Sequence, residues 1–402
     1  MGNFKFTTRV IHNNDSQLSM DLVGDKEYGL DKSIVNGLRR ALLTNIKTAR
    51  LDNIHIVNND TSLFNEFIDE RIKLIPLYID PATYHYDYLF YLNVTNTTNN
   101  ILKVTNADFK VFPLKESIKG NVEEINQLKK ENYDMDNPLP DKEVKQMFRP
   151  FRFNGEEYYI PITELKYMNS DSDFQNLELY SIPRVSTGEE HASFNNVSKS
   201  VYTFKIDEPL VKKTMDDRIR VEGITKNKRD YKKNFKLSES ERYYHRDIQQ
   251  EPYWYTFDIQ SNHYYRSSVL FQQAALYLIE RITLSKESIE SILSNEESAY
   301  SIQYPKQNTI CIIMNDETDT LGNIIQSYAI NKYIDSTTFL TFCGYKNPHP
   351  LEKKIHLILS HSPNQSSQVQ NTTSLLNDIC KVYDIVLQDL EVVLTSANKI
   401  TD

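Results

Sequence analysis

Glycine is scarce in this chain, ten in 402 residues, and cysteine is scarcer, with three. So few glycines leave little room for a loop that cradles phosphates, and no Gly-rich nucleotide signature is present. Cys311, Cys343 and Cys380 all fall in the last quarter, with neither zinc-ligand spacing nor an even count for a disulfide framework. Each sits among apolar neighbours and reads as a small buried hydrophobe. No apolar run approaches the roughly eighteen residues of a membrane span. Nor does an apolar signal-peptide core follow Met1. The expected compartment is therefore cytoplasm or nucleus, with no membrane partner. Positive charge is also in deficit, 46 Lys and Arg against 55 Asp and Glu, for a net −9. That balance argues against a surface that grips nucleic acid everywhere, while leaving room for a local basic patch.

The length suffices for two or three domains with a sizeable core. Leu18, Met20 and Leu22 alternate with polar residues, as in a strand with one buried face. After turns near Gly24 and Gly29, apolar residues recur with helical spacing at Ile34, Val35, Leu38, Ala41, Leu42, Ile46 and Ala49, and Asp31 is placed to cap the helix. Gly37 within this helix costs about 1 kcal/mol relative to Ala, which close approach of another backbone would compensate. The C-terminal part repeats the order: Ile310 to Met314 as a buried strand, an acidic turn, Thr320 as N-cap, then the stripe Leu321, Ile324, Ile325, Tyr328 and Ala329. A final helix from about Thr373 presents Leu375, Ile379, Val382, Tyr383, Val386, Leu387, Leu390, Val393 and Leu394, and another spans Val269 to Ile282. Strand, turn and amphipathic helix thus occur twice, as in an internal pseudo-dimer.

Between the copies lies a Tyr-rich region with strand patterns at Leu89 to Val94 and Val201 to Ile206. Lys115 to Met147, highly charged, and Val211 to Gln250, basic with Lys212, Lys213, Arg218, Arg220, Lys226, Lys228, Arg229, Lys232, Lys233 and Lys236, read as surface excursions. Leu284 to Ser298 reads as a Ser/Glu-rich stretch, still partly helical in pattern, that separates the two copies, and Ser360 to Thr373 as a polar loop.

Candidate chemistry is sparse. His191 and His349 lack a nucleophile or carboxylate at recognisable spacing, and His349 is held in a rigid turn by Pro348 and Pro350, so both read as structural. Asp316, Glu317 and Asp319 fit no calcium-loop pattern and suit the positive end of a helix dipole. No catalytic residue, metal site or cofactor is expected. The basic stretch 211–236, with Tyr231 and Phe235, offers the alternative of a free-standing nucleic-acid-binding protein.

The blocks Gly37 to Leu43 and Asn65 to Leu77, the latter reading Asn-Glu-Phe-Ile-Asp-Glu-Arg-Ile-Lys-Leu-Ile-Pro-Leu, resemble the third subunit of RNA polymerase II, the archaeal D subunit and the bacterial alpha amino-terminal domain. Glu156 to Thr163, Gly188 to Phe194 and Tyr202 to Asp207 are similar to that family's inserted domain, and Tyr255 to Ser261 to its returning strand. Asp319 to Asn323 and Gly344 to Glu352 resemble the eleventh subunit and archaeal L. The resemblance implies an α+β fold, an alpha-amino-terminal-domain-like pseudo-dimer of two strand–helix units plus an inserted mostly-β domain. Its expected bounds are 1–53 and 253–298 for the subunit-three-like dimerisation domain, 54–252 for the insertion and 299–402 for the subunit-eleven-like domain. It implies a non-catalytic assembly platform of a multisubunit DNA-dependent RNA polymerase. Arg39, Arg40, Glu66, Phe67 and Arg71 would face the second-largest subunit, and the C-terminal portion the largest. A small zinc-binding subunit would sit nearby, with DNA and RNA met only through the complex. Internal dimerisation falls to Ile34, Leu38, Leu42, Leu321, Ile324, Ile325, Tyr328, Leu387 and Leu390. Where some relatives carry a Cys-rich metal loop in the inserted domain, this chain has no cysteine before Cys311. The two resembled subunits are normally separate chains, so this polypeptide resembles their fusion; such fusions occur in large cytoplasmic DNA viruses, and the Asn, Ile, Lys and Tyr bias fits an AT-rich genome. A viral factory and virion are then the expected location, or the nucleus if the source is not viral.

Overall fold

A computed structural model of the chain describes residues 4–119, 128–167, 174–224, 227–262, 264–306, 308–363 and 368–401. The chain divides into two compact units. One comprises residues 1–42, 198–261 and 266–402; the other comprises 43–197 and 262–265.

The first unit begins with β1 (Thr7–Asn13), β2 (Gln17–Val23) and α1 (Lys32–Thr44). The chain then builds the second unit from β3 (Thr48–Asn59), α2 (Asn65–Lys73), β4 (Tyr88–Thr95), β5 (Leu102–Thr105), β6 (Lys110–Pro113), α3 (Asp141–Met147), β7 (Phe151–Phe153), β8 (Glu156–Tyr158), β9 (Pro161–Leu165) and β10 (Asn176–Ser186). It returns to the first unit through β11 (Val197–Phe204), α4 (Glu208–Val221), α5 (Lys228–Glu239), β12 (Trp254–Ser261) and α6 (Ser267–Leu293). The remainder is β13 (Tyr300–Lys306), β14 (Thr309–Asn315), α7 (Asp319–Tyr328), β15 (Leu340–Lys346), β16 (Lys354–His361) and α8 (Gln368–Thr401).

Two four-stranded sheets in the first unit share one topology. The first is ordered β1-β2-β12-β11, the second β13-β14-β16-β15. In each, a hairpin leads to a helix after its second strand, and a long helix follows the fourth strand. The two inner strands pair apolar against apolar: Leu18 with Ile259, Met20 with Phe257 and Leu22 with Tyr255 in one sheet. Ile310 with Leu359, Ile312 with Leu357 and Met314 with Ile355 do the same in the other. Those alternating side chains are buried, because a strand's period of two puts them all on one face. The same pairing keeps β11 beside β12, so residues 198–252 belong to this unit, whereas the expected insertion ran on to 252.

Helices cover these faces in antiparallel pairs. Gln272 meets Asn398 and Lys286 meets Asp384, so α6 runs against α8 in the opposite sense. The helix α1 runs likewise against α7, since Asp31 meets Ser327 while Arg40 meets Thr320. Gly37 lies where they approach. A Cβ there would stand 3.0 Å from Ile324 Cδ1 and 3.3 Å from Leu278 Cδ1. Both neighbours are flexible side-chain ends, so a methyl fits with small shifts and a larger group does not.

Several expectations change. The partly helical pattern from Leu284 is helix as far as Leu293, where α6 ends, and Ser285 and Ile289 are buried in it. The last helix begins at Gln368, ahead of Thr373. Residues 364–367 of the expected polar loop lie outside the described residues. The N-cap of α7 is Thr318 rather than Thr320, its carbonyl accepting from the Leu321 and Gly322 amides. The basic stretch folds as a helical hairpin on a small core of Val211, Met215 and Phe235; Lys226 lies outside the described residues.

In the second unit, a sheet ordered β3-β10-β4-β6 is joined by two-stranded pieces β5-β9 and β7-β8. Its cores draw on the segment read as a surface excursion: Leu128 and Tyr133 enter one, Val144 the other. Residues 120–127 of that segment lie outside the described residues. Charge density hid these sparse apolar anchors.

Gly37→Leu is expected to lower the thermal midpoint, at a cost of about 1–3 kcal/mol for overpacking. Gly37→Ala should stay near wild type, helix propensity offsetting the tight contact. Equal melting of all three proteins would show that position 37 is not a close approach.

Candidate functional site

The seam between α1 and α7 is built from both halves of the chain. Asp31 precedes α1 and accepts from the Ser33 amide at 2.8 Å, capping the helix. The same carboxylate accepts from Ser327 Oγ and Asn331 Nδ2, so one cap also fastens the end of α7. Ile34, Leu38, Leu42, Leu321, Ile324, Ile325, Tyr328 and Leu390 are buried, while Leu387 is only half-buried.

Two buried polar networks accompany this apolar seam. Glu317, 6% exposed, accepts from Arg281 Nη2 at 2.7 Å and from the Tyr300 hydroxyl at 2.9 Å. Tyr300 continues to Ser285, which meets the buried Tyr383 hydroxyl at 2.7 Å. Burial raises the Glu317 pKa, against the pull of Arg281. Glu317 is therefore an internal ion-pair partner rather than simple helix-end charge, which remains the position of Asp319 at the start of α7. In the other network, Asp389 on α8 accepts from the Tyr328 hydroxyl at 2.8 Å and, more weakly, from Tyr28 at 3.4 Å. Lys332 Nζ lies 3.9 Å from the centre of the Tyr28 ring. Burial pushes the Lys332 pKa down, while Asp31, Asp389, Asp247 and Asp25 pull it up. Phe4, Tyr28, Lys332 and Asp389 line an open cleft of about 590 Å³. Sequence reasoning missed both networks. The available signal was tyrosine within helical apolar stripes, at Tyr328 and Tyr383, since a buried phenol needs a hydrogen-bond partner.

The residues expected to face a partner subunit fall on both units. In the first unit, Arg39 is half-buried and donates from Nε to Asn36 Oδ1 at 3.0 Å, whereas Arg40 is exposed and donates to Thr320 Oγ1 at 2.7 Å. In the second unit, α2 turns Ile68 and Ile72 inward and leaves Glu66, Phe67 and Arg71 outside. Arg71 Nη2 donates to the Pro161 carbonyl. Phe64, Phe67 and Leu74 are 73%, 61% and 61% exposed. Their spacing with Arg71, at i, i+3, i+7 and i+10, places all four along one side of the helix. Phe64 and Leu74 were not singled out from the sequence, where an apolar residue on an amphipathic helix is taken for core.

The two histidines singled out from the sequence make structural hydrogen bonds. His191 Nδ1 accepts from the Ser193 amide and lies 2.9 Å from Ser193 Oγ, so its ring caps the short turn Ala192–Phe194. Ser193 is buried and not presented to a substrate. His349 Nδ1 accepts from the Leu351 amide in an exposed turn between Pro348 and Pro350. Burial raises the Cys343 thiol to about 12 and the Cys380 thiol to about 11, and also raises Cys311. Cys380 is half-buried, less enclosed than expected. All three are neutral thiols at pH 7, not activated nucleophiles. Among the described residues, no group of three or more His, Cys, Asp or Glu side chains is placed to hold a metal ion. Nor is any helix there long and apolar enough to cross a membrane.

Comparison with known proteins matches part of the chain, including α7, to a known dimerisation domain. Residues 309–388, from β14 into α8, match the RNA polymerase Rpb3/Rpb11 dimerisation domain. The chain is also homologous to alpha-like RNA polymerase subunits. It is 31% identical over 81 residues to the human DNA-directed RNA polymerases I and III subunit RPAC1, covering 20% of this chain and 22% of that one. It is 39% identical over 49 residues to DNA-directed RNA polymerase subunit Rpo3 of Thermococcus kodakarensis, covering 12% and 19%. A longer match, 29% over 199 residues, is to a conjugation stage-specific protein of Tetrahymena thermophila and spans 45% of this chain. The chain thus matches about half of that protein's length (54%) and about a fifth of the polymerase subunits.

The Asp389 carboxyl is raised by burial to about 6, well above its ordinary 3.8. Between those values the folded state holds more protons than the unfolded one. The group's contribution to stability is therefore fullest below about pH 4 and is lost as pH rises through 6. Asp389→Asn should gain about 2 kcal/mol relative to wild type between pH 4.5 and 7, read by urea denaturation at each pH. Parallel pH profiles for the two proteins would refute this assignment.

Proposed function

We propose that this chain is the assembly platform of a multisubunit DNA-dependent RNA polymerase, with subunit-three-like and subunit-eleven-like halves joined as one polypeptide. The observation that carries the reading is the repeated sheet topology, paired through α1 with α7 and α6 with α8. One repeat contains most of the matched dimerisation domain. The halves form an internal pseudo-dimer in which Ile34, Leu38, Leu42, Leu321, Ile324, Ile325, Tyr328, Leu387 and Leu390 supply the contact. The platform performs no chemistry and docks the two large subunits that do. Arg39, Arg40, Glu66, Phe67 and Arg71 meet the second-largest subunit; the C-terminal portion faces the largest, with a small zinc-binding subunit beside them.

Joining the halves has a physical rationale. A tether replaces a bimolecular encounter with an intramolecular one, at an effective concentration reaching about millimolar for a short flexible linker, and fixes the ratio at one to one. The Asn, Ile, Lys and Tyr bias supports an AT-rich viral source, with the protein in the viral factory and virion.

Tagged protein expressed in its native setting is expected to recover two very large polymerase subunits in stoichiometric amount. Arg39→Glu with Arg40→Glu should reduce that recovery. Phe67→Ser should also reduce it, by tenfold or more if the ring is a buried anchor in the complex. Thermal stability should change little, because Phe67 is exposed in the isolated chain. Recovery of no large partner by the wild-type protein would overturn the platform reading.

A further inference from the structure

Residues 205–253 join β11 to β12 and contain the α4–α5 hairpin, whereas residues 347–353 make the corresponding connection from β15 to β16. The same strand pairing therefore forms with only a short turn. The hairpin must offset its own ordering cost, about 1–2 kcal/mol per residue for the backbone, on a small core in which Val211, Met215 and Phe235 are the buried members among the described residues, with Ile206, Ile219, Tyr231 and Tyr243 partly buried against them. Its presence is not explained by the sheet it interrupts.

The charges divide into two sets. Lys232 with Asp216, at 3.0 Å, and Arg218 with Glu239, at 3.1 Å, tie α4 to α5; Arg220 pairs with Asp217 within α4. Lys212, Lys213, Lys228, Arg229, Lys233 and Lys236 are exposed and their side chains have no partner among the described residues. Arg229, Lys233 and Lys236 stand at i, i+4 and i+7, on the side of α5 away from the buried Phe235. At about 1.5 Å per residue they extend over roughly 10 Å, about three steps of rise between phosphates along one strand. The carboxylate nearest in sequence is Asp230. This concentration of cations belongs to a chain whose net charge is −9, so attraction to a polyanion is local to the hairpin.

We infer that the outer face of α5 binds the phosphate backbone of duplex DNA, an interaction independent of the platform reading. The rings that would stack on single strands are engaged elsewhere: Tyr231 and Tyr243 both stack on Phe235. A cationic helix also fits the B-form major groove, whereas the A-form groove of duplex RNA is too narrow to receive it. Contacts made only to phosphate give affinity without sequence preference and a steep dependence on salt.

The test measures fluorescence anisotropy of a labelled random-sequence DNA duplex with the full chain, from 50 to 200 mM salt. Binding with Kd of about 10⁻⁴–10⁻⁶ M near physiological salt is expected. The variant Arg229→Gln/Lys233→Gln/Lys236→Gln should weaken it at least tenfold and reduce the log–log salt slope by about 2–3. Lys103→Gln/Lys110→Gln/Lys142→Gln removes three exposed lysines of the second unit for the same change in net charge and should leave the slope unchanged. Circular dichroism verifies that both variants fold. Equal losses in the two variants, or no binding at 50 mM salt, would overturn the inference. So would tighter binding of single-stranded DNA, duplex RNA or polyglutamate, the last assigning the face to an acidic protein. Because the isolated chain is assayed, failure here and failure of the platform reading are separately visible.

Discussion

The first unit depends on how closely α1 approaches α7. Two sheets of one topology each expose an apolar face that must be covered, and helices can cover both only by packing on one another. At Gly37 the absence of a side chain lets Ile324 and Leu278 reach the α1 backbone. At the ends of the crossing, Asp31 and Arg40 fasten the helices by hydrogen bonds to Ser327 and Thr320. The centre is packing and the ends are polar, so sliding one helix along the other would break both hydrogen-bond sets.

Polar groups inside this unit are handled by tyrosine. Tyr328 and Tyr383 occupy core positions on helical stripes, yet their hydroxyls end on Asp389 and Ser285. Each ring contributes apolar burial, and each hydroxyl fixes one orientation, because a phenol buried without a partner is costly. Burial raises both Asp389 and Glu317 above the ordinary carboxylate range. These groups constrain helix register, and their desolvation draws on stability supplied by the surrounding core.

Legibility in the sequence followed locality. The cap at Asp31, the tight packing at Gly37 and the alternation in β2 are written in a few adjacent residues and could be read, although side-chain ends rather than the expected backbone come close to Gly37. The second strand–turn–helix copy was readable for the same reason. Val144 and Tyr133 were hidden because a charged segment reaches its core through isolated anchors. The later turns of α6 were legible only in part, because Ser285 is a polar residue buried through its hydrogen bond to Tyr383, far along the chain. At the candidate interface, Arg39, Arg40 and Phe67 came from a motif. Phe64 and Leu74 required knowledge of which side of α2 is left uncovered.

The Arg40–Thr320 hydrogen bond joins residues 280 positions apart. At about 5–20 residues per second of synthesis, α1 waits roughly 15–60 s on the ribosome before α7 exists to cover it. Throughout that interval Ile34, Leu38 and Leu42 lack α7's share of their final surroundings, and the nascent first half must be shielded from collapse onto itself or onto neighbouring chains. A covalent tether shortens the search once both halves exist, and it also forces the first half to wait.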